Sequence, residues 1–132
     1  MSRTRILIAE DDPSIMKMTK LRLEHEGYEV VTAVDGETAL READGKLPIQ
    51  LILLDIKLPK VNGYDVCRAL RRRPATSKVP IIVFSASESQ LLHLADRCIE
   101  AGANDWLQKP FRTHELMMKI HRALGEEGRP HG

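Results

Sequence analysis

The sequence predicts an α/β fold, a parallel sheet covered by helices on both faces. Three features carry that reading. Five short apolar runs alternate with five segments of helical length. The run Leu51-Ile52-Leu53-Leu54 is continuously apolar, as a strand buried on both faces must be. Glycines and cap residues fall between the runs, at Asp12-Pro13, Gly27 and Gly102. Right-handed crossovers between such units leave only a few topologies.

Taken in order, Arg5–Ala9 is the first strand. Asp12 then reads as an N-cap, with Pro13 at the first position of a helix over Pro13–Glu26. Gly27 stops that helix, and Glu29–Ala33 is the second strand, followed by a helix over Gly36–Ala43. Leu51–Asp55 is the third strand, and Gly63–Arg72 its helix. The basic run Arg71-Arg72-Arg73 closes that helix, where positive charge complements the dipole, and reads as a solvated face. Pro80–Ser85 is the fourth strand. The helix Ser89–Ala101 carries a stripe of Leu91 or Leu92, Ala95, and Cys98 or Ile99. After Gly102 comes the fifth strand, Asp105–Gln108, then a helix over Arg112–Leu124 with Leu116, Ile120 and Leu124 on one stripe. Residues 1–125 read as one domain and 126–132 as a flexible tail.

At 132 residues the chain is long enough for a single core. Its 20 basic and 19 acidic residues leave a net charge of +1, so nothing global points to nucleic acid or an anionic membrane. No apolar stretch has the length of a membrane span, and Met1-Ser2-Arg3-Thr4-Arg5 leads straight into a strand without a secretory segment. Cys67 and Cys98 lack metal-ligand spacing and read as reduced core thiols of a cytoplasmic protein. The histidines at 25, 93, 114, 121 and 131 are scattered and read as exposed.

The chemistry concentrates at strand ends. Glu10-Asp11-Asp12 follows the first strand, Asp55 closes the third, Ser85 closes the fourth, and Lys109-Pro110 follows the fifth. In a parallel sheet these positions share one rim, where open α/β folds bind ligands. Like charges gathered there need a cation or protons to neutralise them. Carboxylates, a hydroxyl and a lysine suit Mg²⁺ together with a phosphoryl group. A central carboxylate can then act as nucleophile and form an aspartyl-phosphate. Each residue alone has a plainer reading: Asp55 as a turn former, Glu10 and Asp11 as a helix entry, Ser85 as a cap, Lys109 as a solvated charge. Four loops filled at one rim argue against four separate accidents.

From Arg5 to about Leu124 the chain resembles a response-regulator receiver domain of two-component signalling, of the chemotaxis-regulator-like kind. The resemblance rests on Glu10-Asp11, on Asp55 within Asp-x-x-Leu-Pro-x-x-Asn-Gly, on Ser85-Ala86, on Gly102-Ala103-Asn104-Asp105 and on Lys109-Pro110-Phe111. It implies a flavodoxin-like doubly wound sheet of five parallel strands, order 2-1-3-4-5, with five helices. It implies Asp55 as phosphoacceptor, charged by a histidine kinase or phosphotransfer protein. Mg²⁺, with Mn²⁺ as a substitute, would be held by Asp11, Asp55 and the Lys57 main-chain carbonyl, with Glu10 acting through a water. Ser85 and Lys109 would meet phosphoryl oxygens, and the Lys109–Pro110 peptide would be cis. The state would pass through the fourth-helix, fifth-strand, fifth-helix face to a protein target or an effector domain.

Some positions depart from the family pattern. Trp106 stands where Tyr or Phe usually switches inward, so a switching ring and a permanently half-buried one are both open. Glu10 replaces a commoner Asp, Leu58 a frequent Met, and Ser85 a common Thr. Lys57 and Ser87 match positions that tune the loss of the phosphoryl group. Other classes fit less well. A dehalogenase-like phosphohydrolase needs a second Asp two residues after the nucleophile, where Lys57 stands. A flavin-type phosphate loop would not begin with Glu10-Asp11-Asp12. A receiver used only for binding, or one excised from a hybrid kinase, stays open beside a free-standing regulator. The expectation is a self-catalysed switch and not an enzyme.

Overall fold

In the computed structural model, residues 3–85 and 91–126 are described. Five strands and five helices alternate along them: β1 (Arg5–Ala9), α1 (Pro13–His25), β2 (Glu29–Ala33), α2 (Gly36–Ala43), β3 (Leu51–Asp55), α3 (Gly63–Arg71), β4 (Ile81–Ser85), α4 (Leu91–Ala101), β5 (Asp105–Gln108) and α5 (Thr113–Ala123). The strands form one sheet in the order β2-β1-β3-β4-β5, and every pairing is parallel.

Strand periodicity divides the core into two layers. Leu7, Ile52, Leu54, Ile81 and Val83 face a cluster built with Ala39 and Ala43 of α2, Val66, Cys67 and Leu70 of α3, and Cys98 of α4. Their neighbours Ile6, Ile8, Leu51, Leu53, Ile82 and Phe84 face Leu23 of α1 and Leu116, Met117 and Ile120 of α5. All of these strand residues are completely buried. Each such side chain contributes roughly 1.5–3 kcal/mol by leaving water, so β1, β3 and β4 hold the sheet rigid beneath its rim.

Element ends follow local chemistry. Asp12 caps α1 by accepting from the Ser14 and Ile15 amides, with Pro13 in the first turn. Asn62 caps α3 through the Asp65 amide, and Asp35 caps α2 through that of Thr38. Gly27 and Gly102 have φ of +97° and +98°, the left-handed geometry that lets a helix stop and the chain turn.

Several boundaries shift from the sequence expectation. Pro80 lies before β4 and contributes only its carbonyl, which accepts from the Ile52 amide at 3.0 Å. Glu26, Arg72 and Leu124 are C-caps, and Arg112 is the N-cap of α5 without a side-chain cap bond. Ser89, predicted to open α4, lies outside the described residues, as do Ser87, Ala86 and the segment 127–132. On α4 it is Cys98 that faces the core, while Ile99 is 68% exposed.

Two expectations of exposure are corrected. Arg71 does not join a solvated face. Its guanidinium donates to the carbonyls of Gly102, Thr76, Ser77 and Val79 and to Asn104 Oδ1, tying α3 to the turns before β4 and β5. Arg73 likewise donates to Leu40 O at 2.7 Å, and only Arg72 of the three is exposed. Carbonyls at loop ends need donors, and a long planar guanidinium supplies several at once. His121 is half-buried in a groove between α1 and α5, whereas His25 and His114 are exposed. The side chain of His93 and all of His131 lie outside the described residues.

Candidate functional site

The carboxyl ends of β1 and β3 lie side by side, with Ala9 in register with Leu54. Glu10 therefore continues β1 at the level where β3 ends in Asp55, and its amide donates to Ala33 O at 3.0 Å. Glu10 is fully buried, Asp55 is 4% exposed, and Asp11 is open to solvent. Carboxylate oxygens of the three residues lie within 4.8 Å of one another.

Lys109 enters from the far side. Its amide donates to Ser85 O at 2.7 Å, which fixes the chain leaving β5. Its ammonium then stands 2.8 Å from Asp55 Oδ2 and 2.5 Å from Glu10 Oε1. The Lys109–Pro110 bond is cis, as expected. The Lys57 amide donates to Asp55 Oδ1 at 3.1 Å, so both oxygens of Asp55 have partners. An open cleft of about 700 Å³ lies over these groups, lined by Glu10, Asp11, Asp55, Lys57, Lys109 and Pro110 among others.

The electrostatics match this crowding. Burial first, and then the neighbouring Asp55 carboxyl, push the Glu10 carboxyl up to about 7, although Lys109 and the Asp12 amide pull the other way. Burial would lower the Lys109 ammonium, but its contacts with Asp55 and Glu10 outweigh that and hold it above its usual value. Glu10 Oε1 is buried without an aligned hydrogen bond despite its short contact with Lys109. Three clustered carboxylates, two of them buried, are a donor set that fits a hard cation such as Mg²⁺.

Asn62, not Asp55, caps α3. Asp55 accepts the Lys57 amide in a local Asx-type turn, as the plainer reading expects, and it also lines the cleft. Ser85 is buried at the end of β4 and lies outside the cleft lining. Trp106 pairs with Val83 across β4 and β5, half-buried, with Lys119 Nζ 6.0 Å from its ring centroid. It lies apart from the cleft lining.

Sequence reasoning missed how the loop after Asp55 is held. Gly63 abuts the Asp55 carbonyl so closely that a Cβ there would lie 2.3 Å from that oxygen. Farther along, the loop meets Asp35 and Gly36 at the entry to α2. The Asp35-Gly36 pair after the second strand is the signal the sequence offers for it.

Comparison with known proteins agrees with this architecture. The family model described as the response regulator receiver domain matches residues 6–121. A probable transcriptional regulatory protein of Picosynechococcus is 40% identical over 131 residues, covering 93% of this chain and 50% of the relative. The receiver domain of the sensor histidine kinase PA1611 from Pseudomonas aeruginosa, solved with magnesium in its active-site cleft, superposes with a TM-score of 0.83. It shares 33% identity, over 94% of this chain and 99% of that one. Chemotaxis protein CheY4 of Vibrio cholerae gives a TM-score of 0.85 at 30% identity, over 93% and 100%. This chain spans about half the length of the curated relatives it matches. No helix among the described residues is long and apolar enough to cross a membrane.

Proposed function

Because this chain belongs to the response regulator receiver domain family of two-component signalling, we propose that it is a phosphorylation-dependent switch whose phosphoacceptor is Asp55. The observation that carries this reading is the meeting of Glu10, Asp11 and Asp55 in one cleft, with the Lys109 ammonium on Glu10 and Asp55.

Asp11, Asp55 and the main-chain carbonyl of Lys57 would hold Mg²⁺, with Glu10 acting through a water and Mn²⁺ as a substitute. When bound, the ion neutralises charge on the phosphoryl oxygens. A carboxylate oxygen of Asp55 forms a bond to phosphorus while the phosphorus–nitrogen bond of a phosphohistidine breaks. The imidazole nitrogen keeps that electron pair and takes up a proton. With a small acyl phosphate, a phosphorus–oxygen bond breaks instead and a carboxylate leaves. The Lys57 amide, 3.1 Å from Oδ1, orients the nucleophile, and Lys109 shifts from Asp55 to a phosphoryl oxygen. The chain modifies itself and turns over no separate substrate. Hydrolysis restores the carboxylate, and the Lys57 side chain and Ser87 are the positions that set how fast water arrives.

The Ser85 hydroxyl would donate to another phosphoryl oxygen, and drawing it toward the site would alter the face formed by α4, β5 and α5. Trp106 and Lys119 lie on that face. The output would go to a cytoplasmic protein target, or to an effector domain of a longer protein, with no direct part for this domain on nucleic acid or membrane. The test is intact mass after incubation with Mg²⁺ and acetyl phosphate. One phosphoryl adduct on the wild type and none on Asp55→Asn is the expected result. An adduct on both, or on neither, contradicts the assignment.

A further inference from the structure

The loop between β3 and α3 is pinned at three places, to β4, to itself and to the start of α2. At its start the Ile56 amide donates to Phe84 O at 3.0 Å. At its end the Gly63 amide returns to Ile56 O at 2.8 Å. At its apex the Gly36 amide, at the first turn of α2, donates to Pro59 O at 3.0 Å.

That apex is strained. The Val61 amide donates back to Pro59 O at 2.8 Å, and Lys60 between them has φ of +69°. This is the rarer form of the three-residue turn, which a residue other than glycine adopts only under external constraint. Lys60 is the one non-glycine residue with positive φ among the described residues. The constraint is visible. A Cβ on Gly36 would lie 2.1 Å from Val61 O and 2.7 Å from its Cβ, so the two backbones touch. Asp35 adds a charge contact, its Oδ2 3.7 Å from Lys60 Nζ, while its Oδ1 caps α2 at the Thr38 amide. Both functions use one carboxylate, which couples the position of α2 to the loop.

We propose that Asp35, Gly36 and Lys60 are positioning residues, a clasp that holds the loop so that Lys57 and Asp55 keep the orientation the reaction needs. The idea rests on the reading of Asp55 as phosphoacceptor. Between the clasp and β3 lie only Ile56 to Pro59, and Lys57 is among them, with its amide on Asp55 Oδ1. A short segment fixed at both ends transmits an apex displacement to its middle. If the clasp opens, Lys60 relaxes toward negative φ and the Lys57 amide and carbonyl rotate. The geometry at Asp55 then loosens without loss of any residue in the cleft. Misplacements of about 1 Å at a reacting group can cost up to 10²-fold in rate.

Three variants separate this from a merely structural role. Gly36→Ala forces the backbones apart. Lys60→Gly removes the charge contact and the strain together. Asp35→Asn keeps the α2 cap, since asparagine caps well, but loses the pairing charge. For each, calorimetry gives Mg²⁺ affinity, intact mass gives the rate of phosphorylation by acetyl phosphate, and urea unfolding gives stability. The expected result is a rate lowered at least about fivefold in Gly36→Ala and Lys60→Gly, with weaker Mg²⁺ binding. Lys60→Gly should at the same time unfold no more easily than the wild type. Slower phosphorylation in a variant of undiminished stability is an outcome a purely structural contact would not give. Wild-type rates and Mg²⁺ affinity in a folded Lys60→Gly and a folded Asp35→Asn overturn the clasp. Should Gly36→Ala fail to fold, those two variants decide. Should the wild type itself take no phosphoryl group, the phosphoacceptor reading fails, and the Mg²⁺ affinities still judge the clasp.

Discussion

Lys109 Nζ stands 2.8 Å from Asp55 Oδ2, although the two residues are 54 positions apart in sequence. The same ammonium touches Glu10, and Asp11 completes the acidic cluster. With all three carboxylates ionised, one lysine leaves two negative charges unmatched, the charge of one divalent cation. Lysine and a bound cation would thus share a single role, and the balance between them is open to measurement.

Replacing that lysine should move metal binding and chemistry in opposite directions. Lys109→Ala removes a competing cation, so Mg²⁺ affinity should rise severalfold in a calorimetric titration. Phosphorylation by acetyl phosphate should nonetheless fall about 10²-fold, because a charge aimed at the transferring group is gone. Equal phosphorylation rates in both proteins would remove Lys109 from the mechanism.

Arg71 gives a prediction about stability alone. Its guanidinium serves the carbonyls of Gly102, Thr76 and Val79 as well as Asn104. Arg71→Ala strands those acceptors and should cost about 3 kcal/mol in urea unfolding. Arg72→Ala, at an exposed position, should change stability by less than about 0.5 kcal/mol. A loss at Arg72 as large as at Arg71 would contradict the clamp.

The Asp35 cap predicts a pH dependence. The Thr38 amide, and then the Lys60 charge, hold its carboxyl below the usual range against the effect of burial. The folded chain therefore favours the ionised form. The stability this supplies is fully present above the unfolded carboxyl value of about 3.9 and is lost as pH falls through the lower folded value. Thermal melting from pH 6 to pH 2, a window set by those values (~), should fall less steeply for Asp35→Asn than for the wild type. Parallel curves would show that Asp35 contributes nothing to acid stability.

The cysteines should be chemically silent in the folded protein. Both are fully buried, and burial, then the nearby Cys67, pushes the Cys98 thiol up to about 11. Iodoacetamide at pH 8 should label neither until urea unfolds the chain, after which both should react. Rapid labelling of the native protein would contradict their place in the core.

Much of the fold was legible because its signals are local. The apolar run of β3, the Asp12-Pro13 entry and the stops at Gly27 and Gly102 each act through neighbouring residues. Glu10, Asp11, Asp55 and Lys109 could also be brought together, since parallel strands deliver their ends to one rim. Tertiary partners were harder to read. Arg71 looks like any helix-ending cation until the turns it bonds are placed beside it. The contact of Gly36 with Val61 joins two loops with no common pattern. The half-burial of His121 depends on α1 lying against α5, which no periodicity within α5 reveals.

Magnesium binding tests the central claim most directly. Calorimetric titration of the wild type at neutral pH should show one Mg²⁺ site, weakened at least about tenfold in Asp55→Asn and in Asp11→Asn. Unchanged heats and affinity in both variants would mean that the acidic cluster is not the metal site, and the account built on it would fall.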